Sequence, residues 1–350
     1  MTVKDIQSID PRNMYSLIKG FPDQVREAVS IGNKAKVSLP VRGIREILLC
    51  GLGGSAIGGD LLKSYLSSEL SVPFLVNRNY TLPAFVGPST LVLISSYSGN
   101  TEETTTAHRE AIKRGARILC ISSNGLTEKL ARSKGSPAIK IPPGLPPRAA
   151  LGYSFFPLLI ALSKLRIIKD QSRAIKETID ILDTKCAEYS NPEAASNLAL
   201  QLAGQLQGRL GVIYSSTEHL DAVNTRWRGQ LAENAKTLCF GHVLPEMNHN
   251  ELVGWKVLGP IMKETQVMFL RDKGDHKRIQ VRMDITKGIL EQYTPHVTEV
   301  WSEGRSLLAR MFSLIHLGDW VSLYLAILHN VDPTPVSVID HLKQELAKVK

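Results

Sequence analysis

The run Glu46-Ile-Leu-Leu-Cys50, followed at once by Gly51-Leu-Gly-Gly-Ser-Ala-Ile-Gly-Gly59, decides how the chain is read. A short apolar run suits a buried strand, and the small residues behind it suit a tight turn into a helix. The same order recurs where Thr90-Leu-Val-Leu-Ile94 leads into Ser95-Ser-Tyr-Ser-Gly-Asn-Thr101. Small residues let backbone amides approach an anion, hydroxyls add donors, and a helix start adds a favourable dipole. Two such turns on one sheet predict a phosphate gripped by hydroxyls, and therefore a small phosphorylated substrate.

Further strand-like runs lie near residues 72–77, 116–122 and 138–141, with helical runs near 56–67, 102–114 and 126–133 between them. Apolar runs alternating with helices predict an α/β fold with a mostly parallel, doubly wound sheet. A helical lead-in covers about 6–39. After Pro142-Pro-Gly-Leu-Pro-Pro147 come helices near 149–165, 172–189 and 192–207. A second rhythm then follows. Its strands are expected near 210–215, 238–243, 267–271 and 298–301, and its helices near 218–236, 251–258, 276–291, 306–328 and 338–348. Leu210-Gly-Val-Ile-Tyr-Ser-Ser-Thr217 repeats the strand-then-hydroxyl pattern, so the chain reads as a diverged internal duplication divided into 1–165 and 166–350.

At 350 residues, 43% hydrophobic and 21% charged, the composition is that of a globular protein long enough for two domains. No apolar stretch of about 18 residues is expected to span a membrane, and Met1-Thr-Val-Lys-Asp-Ile lacks an export signal, so a cytoplasmic location is expected. Dispersed Cys50, Cys120, Cys186 and Cys239 suit reduced thiols. The net charge of +9 is scattered, without interleaved aromatics, which favours anionic metabolites over nucleic acid.

Each candidate residue also has a plainer reading. Ser55, or Asn100 and Thr101, could merely cap helices. Arg148 follows Pro147 at the sheet's carboxyl edge, where open α/β folds bind ligands, yet a surface arginine is the default. Glu233 falls opposite the apolar stripe of Leu220, Val223, Trp227 and Leu231, which makes it a solvated carboxylate unless a polar cleft lies there. Cys239, His242, Glu246 and His249 match no standard metal spacing, and no metal is expected. Gly51-Leu-Gly-Gly-Ser-Ala56 fits a dinucleotide fingerprint, but Val76-Asn-Arg-Asn79 stands where its acid belongs; Arg78 keeps an NADP enzyme open as a rival. Lys343 reads as one of many surface lysines.

With these segments in order, the chain resembles the sugar isomerase (SIS) family, specifically the bifunctional phosphoglucose/phosphomannose isomerases. The resemblance is carried by Gly51–Asp60, Ser96-Tyr-Ser-Gly-Asn-Thr101, Gly144–Arg148, Leu231-Ala-Glu-Asn-Ala-Lys236, Pro245-Glu-Met-Asn-His-Asn-Glu251 and Val331-Asp-Pro-Thr-Pro-Val336. It implies two SIS domains and a homodimer whose active site is shared between subunits. It implies that Gly54, Ser55, Ser96, Ser98 and Thr101 hold the phosphate of a hexose 6-phosphate. Glu233 matches the catalytic base, His249 the ring-opening histidine supplied by the neighbouring subunit, Arg148 the enediolate stabiliser and Lys343 a lysine on the last helix. Thr334 matches a threonine linked to mannose phosphate. No cofactor is implied. A non-catalytic sugar-phosphate sensor could keep the serines while lacking the glutamate and histidine, and an aminosugar-phosphate isomerase would ordinarily require an ammonia-handling partner or domain.

Overall fold

The computed structural model describes residues 1–349. Helices α1 (Val3–Ile9), α2 (Met14–Lys19) and α3 (Phe21–Lys34) form the lead-in. Strands β1 (Glu46–Cys50), β2 (Phe74–Asn77), β3 (Thr90–Ser96), β4 (Arg117–Ser122) and β5 (Ala138–Lys140) pair in parallel in the order β2-β1-β3-β4-β5. Between them run α4 (Gly53–Leu66), α5 (Glu102–Lys113) and α6 (Gly125–Lys134). Helices α7 (Leu151–Lys164), α8 (Ser172–Tyr189) and α9 (Leu198–Leu206) lead to the second sheet.

There β6 (Leu210–Ser216), β7 (Cys239–Leu244), β8 (Thr265–Arg271) and β9 (Val297–Trp301) pair in parallel as β7-β6-β8-β9. This repeats the first sheet's order without a fifth strand. The remaining helices are α10 (Asp221–Ala235), α11 (Gly259–Lys263), α12 (Lys277–Leu290), α13 (Leu307–Leu328) and α14 (Ser337–Leu346).

Strand alternation sorts the core into layers. Ile47, Leu49, Leu91 and Leu93 on one face of the first sheet, and Ile213, Met268 and Leu270 on one face of the second, belong to a single cluster with α3, α7, α10 and α13. Leu48, Cys50, Val92 and Ile94 face the other way, with Ala107 and Ala111 of α5. Val212, Tyr214, Val267 and Phe269 do the same in the second sheet, with Met283 and Leu290 of α12.

Three expectations need correction. Helix α9 starts at Leu198, because Asn197 caps it by accepting the Leu200 N–H; the residues before it form turns. Residues 251–258 are not an α-helix: Glu251–Lys256 is a 3-10 stretch. Helix α13 is long and apolar enough to cross a membrane, contrary to the expectation of no such stretch. Its apolar window has mean hydropathy 1.5, and 94% of it is buried in the common core. A helix apolar on all sides and enclosed on all sides is a core helix.

Candidate active site

The turns after β1 and β3 lie side by side at the carboxyl edge of the first sheet, because those strands are neighbours. Ser55 and Ser96 are buried there. The Ser55 hydroxyl accepts the Tyr97 N–H at 3.3 Å, locking one turn to the other. Ser96 Oγ accepts the Gly99 N–H at 3.1 Å and donates to Thr101 Oγ1 at 3.3 Å; Ser98 Oγ accepts the Asn100 N–H at 3.3 Å. The plain capping readings fail. No side chain caps α4 or α5, and Asn100 Oδ1 instead accepts the Leu126 N–H. Two uncapped helix starts among hydroxyls leave donors for an anion.

At the matching edge of the second sheet the hydroxyls are engaged by carboxylates, and Asp272 is also paired with Arg310 at 2.9 Å. Ser216 donates to Asp275 Oδ1 at 2.5 Å, and Ser302 donates to Asp272. Burial pushes the Asp275 carboxyl up to about 6.

Gly54 ties the hydroxyl turns to Arg148. A Cβ on Gly54 would stand 2.5 Å from the Pro147 carbonyl oxygen, so only glycine permits the close approach. Arg148 sits in the 3-10 turn Pro147–Ala149 and is 5% exposed, unlike a default surface arginine. Its Nε donates to Asn234 Oδ1 at 2.6 Å, and its Nη2 donates to the carbonyls of Pro333 at 2.8 Å and Thr334 at 2.7 Å. Only Nη1 is turned towards Glu233, with Oε2 at 3.5 Å. Burial lowers the Arg148 pKa, and the Glu233 and Asp332 carboxylates oppose it.

Glu233 is near the end of α10 with its side chain 36% exposed. It lines a cavity of about 400 Å³ with Lys236, Leu238, Pro335, Val338 and Ile339. It therefore meets a cleft, but one whose lining is mostly apolar, with Lys236 the other charged group, rather than the polar cleft on which its role depended. Lys236 Nζ donates to the carbonyls of Glu233 at 2.6 Å and Pro333 at 3.0 Å. Burial, aided by the Arg148 charge, lowers the Lys236 pKa, while Asp332 and Glu233 act the other way. Thr334 borders the site; its Oγ1 is buried without a partner.

His249 and Lys343 are not brought to this cluster. His249 ends the 3-10 turn Glu246–His249 beyond the carboxyl end of β7, whereas Glu233 precedes the amino end of that strand. A strand of this length separates them by roughly 17–20 Å. Lys343 is exposed on α14, a helix with no buried residue.

The rival readings lose their footing. Arg78 is paired with Asp60, so its guanidinium is not free for a 2′-phosphate. Cys239 and His249 stand at opposite ends of β7, His242 Nδ1 accepts the Val243 N–H, and no metal-binding cluster of His, Cys, Asp or Glu occurs among the described residues. Sequence reasoning missed Asn234 and Lys236, although both lie in the quoted Leu231–Lys236 segment. It also missed Asp319 and Ser322, hidden in the apolar α13.

Two parallel sheets around one helical core, with hydroxyl turns at one carboxyl edge, define the SIS class of sugar-phosphate proteins. Residues 195–346 match a family model described as the bacterial phospho-glucose isomerase C-terminal SIS domain. A hypothetical protein from Thermus thermophilus has the same fold, with a TM-score of 0.71 at 15% identity over 97% of this chain and 91% of that one. The bifunctional phosphoglucose/phosphomannose isomerase of Caldicellulosiruptor bescii is 43% identical over 96% of this chain and 100% of its own length. That of Aquifex aeolicus is 38% identical over 96% and 98%. The chain belongs to the bifunctional phosphoglucose/phosphomannose isomerase family.

Proposed function

We propose that this chain interconverts fructose 6-phosphate with glucose 6-phosphate and mannose 6-phosphate through a cis-enediol. One observation carries the proposal: a carboxylate at a cavity mouth, Glu233, faces the one unclaimed nitrogen of a buried arginine, Arg148. The turns bearing Ser55, Ser96, Ser98 and Thr101 grip the 6-phosphate, positioning the sugar by contacts remote from the reacting carbons.

The cyclic sugar opens first. His249 moves a proton from the anomeric hydroxyl to the ring oxygen, work suited to imidazole near neutral pH. Glu233 then takes the proton from carbon 2 of the aldose, or carbon 1 of the ketose. The electron pair flows to the carbonyl oxygen and leaves a cis-enediolate, whose charge Arg148 stabilises. Glu233 returns the proton to the adjacent carbon while the oxygens exchange theirs. Glucose and mannose 6-phosphates differ only at carbon 2, so both collapse to one intermediate; Thr334 at the wall leaves room for protonation on either face. No cofactor enters.

Since His249 and Glu233 lie at opposite ends of β7, a histidine acting with this glutamate comes from a second copy. We therefore read the working unit as a homodimer with shared sites, Lys343 reaching the sugar once α14 is covered. The working place is the cytoplasm, and the chain divides into two SIS modules, 1–165 and 166–350.

The test is a coupled assay with fructose 6-phosphate, reading both aldose products. Glu233→Gln is expected to reduce turnover by roughly a thousandfold or more while substrate binding persists. Normal turnover in that variant would exclude Glu233 as the base.

A further inference from the structure

Helix α13 is apolar throughout its buried length except for a few groups, of which Asp319 and Ser322 face α10. On α10 the facing residues are Arg226, Gln230 and Asn234, spaced by four and so stacked along one face. Together they make a buried polar seam. Arg226 Nη2 donates to Asp319 Oδ2 at 2.8 Å, and Gln230 Nε2 donates to Asp319 Oδ1 at 2.8 Å. Asn234 Nδ2 donates to Ser322 Oγ at 2.9 Å, and Ser322 donates in turn to the Asp319 carbonyl at 2.7 Å.

Both ends of the seam terminate on one residue. Arg226 Nη2 also donates to the Arg148 carbonyl at 3.1 Å, and Asn234 Oδ1 accepts Arg148 Nε at 2.6 Å. Every donor and acceptor direction is determined. Because Ser322 spends its proton on a carbonyl, it must accept from the Asn234 amide, which turns the amide oxygen towards Arg148. Apolar residues would fill this space at lower desolvation cost, so the seam needs another reason than stability.

We propose that the seam between α10 and α13 is a positioning device for Arg148, and that Asn234 is the residue through which it sets the direction of Nη1. This rests on the isomerase reading above, in which that nitrogen faces the developing enediolate. Asn234 does not touch substrate. Its loss leaves the Arg148 charge and the two Nη2–carbonyl bonds in place but frees Nε, so the guanidinium plane can pivot about Nη2 and carry Nη1 out of line. Misplacement by about 1 Å costs on the order of a hundredfold in rate.

The test is a double-mutant cycle in the full-length protein. Asn234→Ala is expected to lower kcat by roughly ten- to a hundredfold with KM within about twofold, since phosphate contacts are untouched. In an Arg148→Lys background, where no Nε exists to be held, the same substitution is expected to change kcat by less than about twofold. An equal fold-loss in both backgrounds overturns the proposal, because a general weakening of the fold multiplies through regardless of residue 148. Normal kcat in Arg148→Lys alone also overturns it. An equal fold-loss leaves the isomerase reading standing, whereas normal kcat in Arg148→Lys removes only the Arg148 role from it; Glu233→Gln tests the reading itself separately. Should Asn234→Ala fail to fold, Ser322→Ala frees the amide to turn and is expected to show the same background-dependent loss, smaller in size.

Discussion

At the scale of single residues, burial decides what each polar group can do. Asp275 is enclosed, with one oxygen held by Ser216 and the other unpartnered. Burial first, then the nearby Asp272 and Glu218 charges, raise its carboxyl from an ordinary 3.8 to about 6, against the Ser216 bond. A raised folded pKa means that the folded chain holds a proton the unfolded chain has already released. The associated stability is complete below about pH 4 and is lost as pH rises through about 6. A rise of this size corresponds to roughly 3 kcal/mol. Asp275→Asn mimics the protonated form, so it is expected to equal the unaltered chain at pH 4 and to exceed it by up to about that amount at pH 8. Denaturant midpoints at the two pH values check this; an advantage that does not grow with pH rules it out. Individual residues were the least legible part of the sequence. The hydroxyl turns could be read because every group lies within a few positions. The burial of Arg148 could not, since its partners are 86 and 185 positions away along the chain.

At the scale of elements, strands were legible and several helix starts were not. The apolar runs of β1, β3, β6 and β8 are enclosed on both faces, which writes burial into nearly every position. Turn chemistry at Asn191 and Asn197 was masked by an apolar pattern running through it, so the start of α9 was set too early. The periodicity of α10 placed Glu233 correctly away from the stripe, but periodicity cannot say whether that side meets bulk water or a cleft. Helix α14 is amphipathic, yet Val338, Leu342 and Leu346 are all more than half exposed. On the dimer reading those side chains pack on a second copy. Leu342→Glu is accordingly expected to shift the protein from dimer to monomer and to lower activity in proportion. Sedimentation at matched concentrations checks it; an unchanged mass would detach α14 from assembly.

At the scale of the whole molecule, the placement of His249 and Glu233 makes a prediction about mixtures. Glu233→Gln and His249→Ala homodimers are each expected to be nearly inactive. Subunits exchanged between them form hybrids with one site carrying both native groups and one site carrying neither. A statistical mixture therefore regains about a quarter of native activity. If the histidine served its own chain's glutamate, no hybrid would recover, and the recovery measured after mixing separates the two cases.

The enclosed helix α13 has a consequence for how such a chain can have arisen and how it can change. Two sheets with one order look like a doubled ancestral gene, but the halves now share a single interior. Neither copy retains a complete set of partners for its own apolar surface, so splitting the gene between them would yield two fragments that stick rather than fold. Later drift in either half is constrained by residues contributed by the other.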